Sequence, residues 1–409
     1  MKIAFVYTTN RLFWTYLYAK YRWLDTAEYH VQLGTVLDEP YGSHSGWQPV
    51  LKSRGHECET FFPGMVPLEN AWMRENGLSN GTYPQSWRIL IDQLRAFQPD
   101  VVYCSLSNNY NISIVDAIRD SVSSIRAIIN YAGSFTYDIH RLAKMHAVVT
   151  CSKEIRDALT DQGLRTYYVP HSFDMNVTRL VSNLSVHRSN KMVFAGGLVR
   201  RKGLHMERER LLENVVEAVP MAVYTPAFLQ SPVREAVDWT VRKVASKTAG
   251  AILSIPAVAK PASLSFALRR LSRVELPSTP MVSTKLRKTF RPPVYGMDSY
   301  RMYMSYAVTL NHSGEYRTAE NLRLFEATGV GACLLTDWKI NLPDYFDIDS
   351  EIVTYKNAEE CTDKATWLLS HPEEARRIGE AAKQKCTTQH TFENKVELFE
   401  SILDEMVNN

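Results

Sequence analysis

The sequence predicts an α/β protein of two doubly wound halves, each a parallel sheet with helices on both faces, that meet across a cleft. Three observations predict it. Short apolar runs alternate with amphipathic stretches through the first 170 residues. The same alternation restarts at Lys191, which places the junction near residue 185. The length of 409 residues suits two domains, and 45% hydrophobic against 22% charged residues is ordinary globular composition. Strands alternating with helices build parallel sheets covered on both faces.

In the first half, strands are expected at 2–7, 57–62, 100–105, 126–131, 147–151 and 166–169, with helices near 84–97, 110–121 and 152–163. Trp87, Leu90, Ile91, Leu94 and Phe97 carry the i, i+3, i+4, i+7 spacing of a buried helix face, and Pro99-Asp100 breaks it before Val101. In the second half, strands are expected at 191–195, 221–225, 307–311, 332–336 and 351–355. Helices are expected at 204–218, 297–305, 319–329, 357–370, 372–386 and 391–407. The domain reading is 1–185, then 186–390, with a final helix at 391–409 packing back towards the first domain. Ligands of such folds collect at the carboxyl ends of the strands.

One stretch breaks the rhythm. Residues 226–291 hold six prolines, and between 231 and 291 stand twelve Lys/Arg against three Asp/Glu. That segment is +9 in a chain of net +3, so the remainder is −6. Residues 233–245 and 264–273 read as short basic amphipathic helices, and the expectation is a surface for an anionic membrane or a polyanionic acceptor.

Composition excludes several classes. With 47 basic and 44 acidic residues the chain is too balanced for a dedicated nucleic-acid binder. The six cysteines are at least 25 residues apart, so zinc-ribbon and CxxC spacings are absent and buried free thiols are expected. The apolar run at residues 3–7 is too short for a leader or a span, which points to a cytoplasmic protein, peripheral at most at the inner face of a membrane.

Two loops can carry chemistry. At the start of the second half a strand runs into Gly196-Gly197 and then Arg200, Arg201 and Lys202. Glycines let backbone approach a phosphate, and the cations neutralise a diphosphate. The spacing is neither a Walker loop nor a GxGxxG fingerprint. The second is Leu310–Gly331, in which a strand ends in a polar loop and Thr318 is expected to cap the next helix. Its free N–H groups beside Arg317 suit a pyrophosphate. Arg323 and Glu326 are i, i+3 neighbours, open to two readings: a surface ion pair, or a carboxylate that accepts from both hydroxyls of a ribose.

The run NLRLFEATGVGACLLTD from Asn321, followed by WKINLPDYF and then SHPEEARRIGEAAKQKCTTQHTFENKVELF, resembles nucleotide-sugar glycosyltransferases of group 1 with the GT-B fold, two Rossmann-like domains, and especially the CgeB-like branch. The likeness extends more loosely to VYGMDSYRMYMSYAVTLNHSG, PLENAWMRENGL, AFQPDVVYCS and YVPHSFD. The resemblance implies transfer of a sugar from a nucleoside diphosphate sugar to a hydroxyl, with the donor held mainly by the second domain. Glu326 matches the glutamate that binds the donor ribose, and Lys202 matches a phosphate-binding lysine of retaining members. By the same resemblance Tyr295 and Gly296 would lie against the base, and Gly314, Glu315, Tyr316, Arg317 and Asn321 would line the diphosphate and sugar. Two departures stand out. Thr318 occupies the position eight before Glu326 where many relatives carry glutamate, and Gly197 stands where an arginine is usual, so Arg200 or Arg201 would compensate.

Positive charge supplied by the protein makes a metal ion unnecessary, and Asp347-Ile348-Asp349 reads as a solvated turn. No cofactor is expected beyond the donor substrate. Of the histidines in cleft-facing loops (His44, His140, His171, His312), His140 and His312 are the candidates for acceptor or donor contacts, and Asp138 for a base. The expected acceptor is a saccharide or lipid-linked saccharide of a bacterial-type surface glycan. The rival readings are a sugar-nucleotide epimerase or hydrolase of the same fold, and a non-catalytic glycan-assembly protein. Acceptor-dependent release of nucleoside diphosphate separates the first rival from a transferase; failure to bind nucleotide marks the second.

Overall fold

Five of the six residues of strand β1 (Lys2–Tyr7) are buried, because Ile3 to Tyr7 are covered on both faces of a central strand. Around it β2 (Glu57–Phe61), β3 (Val101–Ser105), β4 (Ala127–Tyr131), β5 (Ala147–Thr150) and β6 (Thr166–Tyr168) pair in parallel in the order β2-β1-β3-β4-β5-β6. A second parallel sheet has the order β12-β11-β10-β7-β8-β9. It is built from β7 (Ser189–Ala195), β8 (Met221–Tyr224), β9 (Phe290–Arg291), β10 (Tyr306–Asn311), β11 (Cys333–Asp337) and β12 (Val353–Tyr355). The α/β fold of two doubly wound sheets is the one expected. This computed structural model describes residues 1–42, 44–78, 86–105, 112–134, 137–198, 207–254, 268, 272, 279–314, 316–319 and 321–408.

Each face of the second sheet has its own core. Leu211, Leu212 and Val215 of the Glu207–Val215 helix pack with Cys361, Ala365 and Leu368 of the Ala358–Ser370 helix over one face. Leu324, Phe325 and Ala327 of the Arg323–Gly329 helix, with Ala382 and Cys386 of the Pro372–Gln389 helix, cover the other. The Phe392–Asn408 helix buries Phe392, Val396, Phe399, Ile402 and Leu403 in the core of the first sheet. All six cysteines are free and buried.

Several elements were not expected. The Arg11–Lys20 helix carries Leu12, Phe13, Trp14, Tyr16, Leu17 and Tyr18, apolar or aromatic on every side, so it shows no 3.6-residue stripe. The Tyr29–Leu37, Trp47–Ser53 and Val66–Glu75 helices and the two-residue β9 are likewise additions. Within the basic segment the helix is longer than expected. It runs over Pro232–Leu253, with Ser231 accepting from the Arg234 N–H and Pro232 at the first position. The expected helix at 264–273 lies outside the described residues save for Leu268 and Ser272, which are helical.

Close packing of helix on strand makes one glycine critical. A Cβ on Gly379 would lie 2.4 Å from the Gly331 carbonyl oxygen and 3.1 Å from the backbone of Ala332 and Cys333, none of which is a flexible side-chain tip. Gly379→Ala is therefore expected to destabilise the second domain by about 2–3 kcal/mol, read as a lower urea midpoint at unchanged slope.

Candidate active site

In the second sheet the chain leaves β7 towards β8 on one side and β10 towards β11 on the other. The crevice between the carboxyl ends of β7 and β10 is thus a topological switch point, where open α/β sheets bind ligands. Arg323 spans it. Its guanidinium donates to the Ala195 carbonyl at the end of β7 and, at 2.8 Å, to Asn311 Oδ1 at the end of β10, while lying 5.2 Å from the Phe194 ring. The expected alternative of an Arg323–Glu326 surface ion pair does not describe it.

Asn311 organises the loop beyond β10. Its amide pairs reciprocally with that of Asn321, at 3.1 and 3.0 Å, and donates to Thr336 Oγ1 at 3.1 Å. Asn321 also donates to Ser313 Oγ at 3.1 Å and accepts from the Leu324 N–H at 3.2 Å. This corrects the expected cap. The helix begins at Arg323, and Asn321 does the capping that the sequence assigned to Thr318. Thr318 is buried in the preceding loop, where Asn341 accepts from the neighbouring Ala319 N–H at 2.7 Å. Asp337 fixes the other side of that loop, accepting from the Ser313 N–H at 2.8 Å and pairing with Lys339 at 3.1 Å. Lys339 in turn donates to the Gly314 carbonyl at 2.6 Å.

Glu326 is half-buried beside this crevice. Among the described residues its one hydrogen bond comes from Tyr303 Oη at 3.4 Å. Burial pushes its carboxyl above the ordinary value, with Arg323 and Tyr303 pulling it part of the way back. It faces the first domain: burial, then Tyr295 and the Glu326 charge, push the Tyr41 phenol up to about 12.

The other expected site residues are dispersed. Arg200, Arg201, Lys202 and Glu315 lie outside the described residues. Gly196 has φ +157, and a Cβ there would sit 3.3 Å from Arg323 Nη2; the Gly197 carbonyl accepts from Arg208 at 3.0 Å. Tyr295 packs edge-on against Phe13, Tyr16 and Tyr41 of the first domain. Gly296 has φ +57, and a Cβ would meet Glu39 Oε2 at 2.3 Å, so only glycine allows that approach. The Tyr316 hydroxyl is buried. Arg317 gives its backbone N–H to Glu154 Oε1 of the first domain at 3.1 Å.

Of the histidines and acids, Asp138 caps the short Ile139–Leu142 helix, accepting from the His140 and Arg141 N–H groups at 3.0 and 3.4 Å, and the His140 side chain is exposed. His312 is 8% exposed and lies 3.2 Å from Tyr355 Oη and 3.7 Å from Asp337. The structure brings Asn321, Arg323 and Glu326 together around the ends of β7 and β10, while His312 and Gly314 line a cavity by Asp337 and Tyr355. Burial pushes both His44 and His171 down to about 4, so they stay neutral at physiological pH.

Sequence reasoning missed the clasp between the domains. Glu39, 5% exposed, accepts from Lys20 at 2.7 Å, Tyr21 Oη at 2.8 Å and the Met297 N–H at 2.8 Å, the last opening the Met297–Met304 helix. Asp298, one residue on, takes Tyr16 Oη at 2.6 Å and Lys20 at 3.0 Å. Carboxylates at a helix start meet its partial positive charge. Partners 258 residues apart leave no trace in local spacing.

Residues 266–401 match a family described as glycosyl transferase-like. The fold is shared along the whole chain with solved glycosyltransferase-fold structures of low identity. Sucrose-phosphate synthase of Thermosynechococcus elongatus is 10% identical with a TM-score of 0.52, covering 99% of each chain. AviGT4, a glycosyltransferase of avilamycin A biosynthesis, is 14% identical with a TM-score of 0.51, covering 100% of this chain and 98% of its own. HepE of Anabaena, in complex with UDP-glucose, is 10% identical with a TM-score of 0.50, covering 99% of this chain and all of its own. No curated protein sequence matches at a significant level. The whole chain thus has the two-sheet fold of the GT-B structures, and residues 266–401 resemble the glycosyl transferase-like family.

Proposed function

We propose that the enzyme transfers a sugar from a nucleoside diphosphate sugar to a hydroxyl of a saccharide or lipid-linked saccharide, without a metal ion and with retention of configuration, in building a bacterial-type surface polysaccharide or glycolipid. The single observation that carries the donor site is Glu326, half-buried at the β7–β10 crevice with acceptor capacity that Tyr303 alone does not fill. A carboxylate there accepts from both ribose hydroxyls, and Arg200, Arg201 and Lys202 in the loop after β7 supply charge for the departing diphosphate. The match of Lys202 to the phosphate-binding lysine of retaining relatives supports retention. HepE, described with UDP-glucose, makes UDP the first nucleotide to try. A calorimetric and thermal-shift panel of UDP, GDP, dTDP, CMP and ADP, with and without EDTA, tests the reading. One diphosphate is expected to bind equally in EDTA; binding by none refutes the donor site, and loss in EDTA refutes metal independence.

The same reading places the enzyme at the inner face of an anionic membrane through residues 226–291. No helix of the described residues is long and apolar enough to cross a membrane. The Pro232–Leu253 helix, however, turns Val233, Val237, Val241 and Val244 outward, between 53% and 73% exposed, at spacings of one helical face. Lys243, Lys247 and Arg234 are exposed beside that stripe. Apolar face and flanking cations together suit a helix lying in the headgroup region. Val241→Glu is expected to cut cosedimentation with anionic vesicles at least about tenfold, since it buries a charge where an aliphatic group inserted. Equal cosedimentation of variant and wild type would assign the contact elsewhere.

A further inference from the structure

On the face of the second sheet opposite the Arg323–Gly329 helix, a cavity of about 520 Å³ opens at the carboxyl ends of β10, β11 and β12. The Glu207–Val215 helix and the start of the Ala358–Ser370 helix wall it, and His312 lines it.

The protonation of His312 can be assigned from its neighbours. Tyr355 donates its one hydroxyl proton to the Asn311 carbonyl, at 2.8 Å. In the 3.2 Å contact with His312 Nδ1 the phenol oxygen is therefore the acceptor, and Nδ1 carries the hydrogen. The lone pair of the neutral ring then sits on Nε2. Burial, against the partial pull of Asp337, lowers the ring's pKa and keeps it neutral. Nε2 is buried on a side chain only 10% exposed, and among the described residues it has no partner. A buried acceptor without a donor marks the place of a ligand O–H or N–H.

The rest of the lining suits a polyhydroxylated ligand. Trp338, 45% exposed just beyond β11, lines the cavity, with Lys356 Nζ 5.9 Å from its ring. Arg210, Asn214 and Glu207 add donors and acceptors of both charge signs. A nucleotide base would leave these groups mostly unpaired. A sugar ring has hydroxyls for them and an apolar C–H face for the indole.

We propose that this cavity holds a sugar ring of the acceptor, with one hydroxyl donating to His312 Nε2 and the C–H face resting on Trp338. The proposal rests on the enzyme's reading as a nucleotide-sugar transferase, and it puts acceptor recognition partly in the second domain, across the sheet from Glu326. Saturation-transfer NMR on the full chain with glucose, galactose, mannose, rhamnose, N-acetylglucosamine and glucuronic acid tests it. At least one sugar is expected to give a signal that survives saturating nucleoside diphosphate and also survives Glu326→Ala. That signal should fall in Trp338→Ala and His312→Phe, with Kd raised about tenfold. Diphosphate affinity should stay within about twofold in Trp338→Ala, which also shows that this variant is folded. Absence of any signal, or a signal indifferent to Trp338→Ala, overturns the proposal while leaving the donor site standing. A signal displaced by the nucleotide sugar or lost in Glu326→Ala overturns it too, by assigning the sugar to the donor. Failure of every diphosphate to bind is the separate result that sinks the donor reading.

Discussion

Glu326→Ala is expected to weaken nucleoside diphosphate binding about a hundredfold. Two ribose hydroxyls donating to a carboxylate contribute roughly 1.5 kcal/mol each, and their joint loss of about 3 kcal/mol is two orders of magnitude in Kd. Calorimetry with the diphosphate that the wild type prefers measures it. The same residue predicts an opposing effect on stability. Burial raises its carboxyl above the ordinary 4.5, so the folded protein holds that proton after the unfolded chain has released it. Stability therefore declines as pH rises from 4.5 through the raised native value, beyond which the penalty is complete. Glu326→Gln removes the charge and keeps the shape, so at pH 7 it should unfold at higher denaturant than wild type while binding nucleotide poorly. Donor affinity in the wild type should fall as pH drops through that native value, because the protonated carboxyl accepts less well. A Glu326→Gln protein that is less stable at pH 7 would show that the carboxylate belongs to the structure and not to a ligand.

Glu39→Ala is expected to cost about 3 kcal/mol, the usual penalty for breaking a buried ion pair from one side. Three donors converge on this carboxylate; its removal leaves the Met297 N–H without its acceptor and Lys20 with Asp298 as its remaining partner. Tyr21→Phe removes one neutral donor from the same group and should cost only about 1 kcal/mol. Denaturant titration gives both values, and hydrogen exchange at the Met297 amide should speed up in Glu39→Ala alone. Acid should loosen the clasp as well. Burial raises the Asp298 carboxyl, but bonds from Tyr16, Lys20 and Arg301 outweigh it and hold the value below 3.8. Its contribution is present at neutral pH and is lost as pH falls through that depressed value. Equal losses in the Glu39 and Tyr21 variants would mean that the phenol, and not the charge, holds the two domains.

What the sequence made legible was governed by local rules. Strands such as residues 101–105 and 333–337 begin as unbroken apolar runs, Val101–Cys104 and Cys333–Leu335, because both faces of a parallel sheet are covered, and that pattern survives in one dimension. The Arg11–Lys20 helix had no such signature, because aromatic residues surround it and it packs on more than one side. At the site, the contiguous run from Asn321 to Glu326 was readable and the choice of cap was not. Thr318 and Asn321 are both good capping residues, and the decision fell to Asn311, ten positions away, which holds Asn321 in place. Tyr303, Tyr41 and the Glu39 clasp were invisible for the same reason. Each acquires its role from a partner supplied by another element of the fold.

The last helix has a consequence for the order in which the molecule can be made. Phe399 stacks on Trp47 at 4.2 Å and meets Tyr103 edge-on at 5.1 Å, so residues near 400 fill the core of a sheet whose six strands are complete by Tyr168. On the ribosome, the first sheet emerges with one flank of its core open to water. It stays open through synthesis of the entire second sheet, which can close without it. At 5–20 residues per second, synthesis of the intervening chain takes roughly 10–50 seconds. The domain born first is finished last, and during that interval its exposed aromatic surface is the part of the nascent chain most in need of a chaperone.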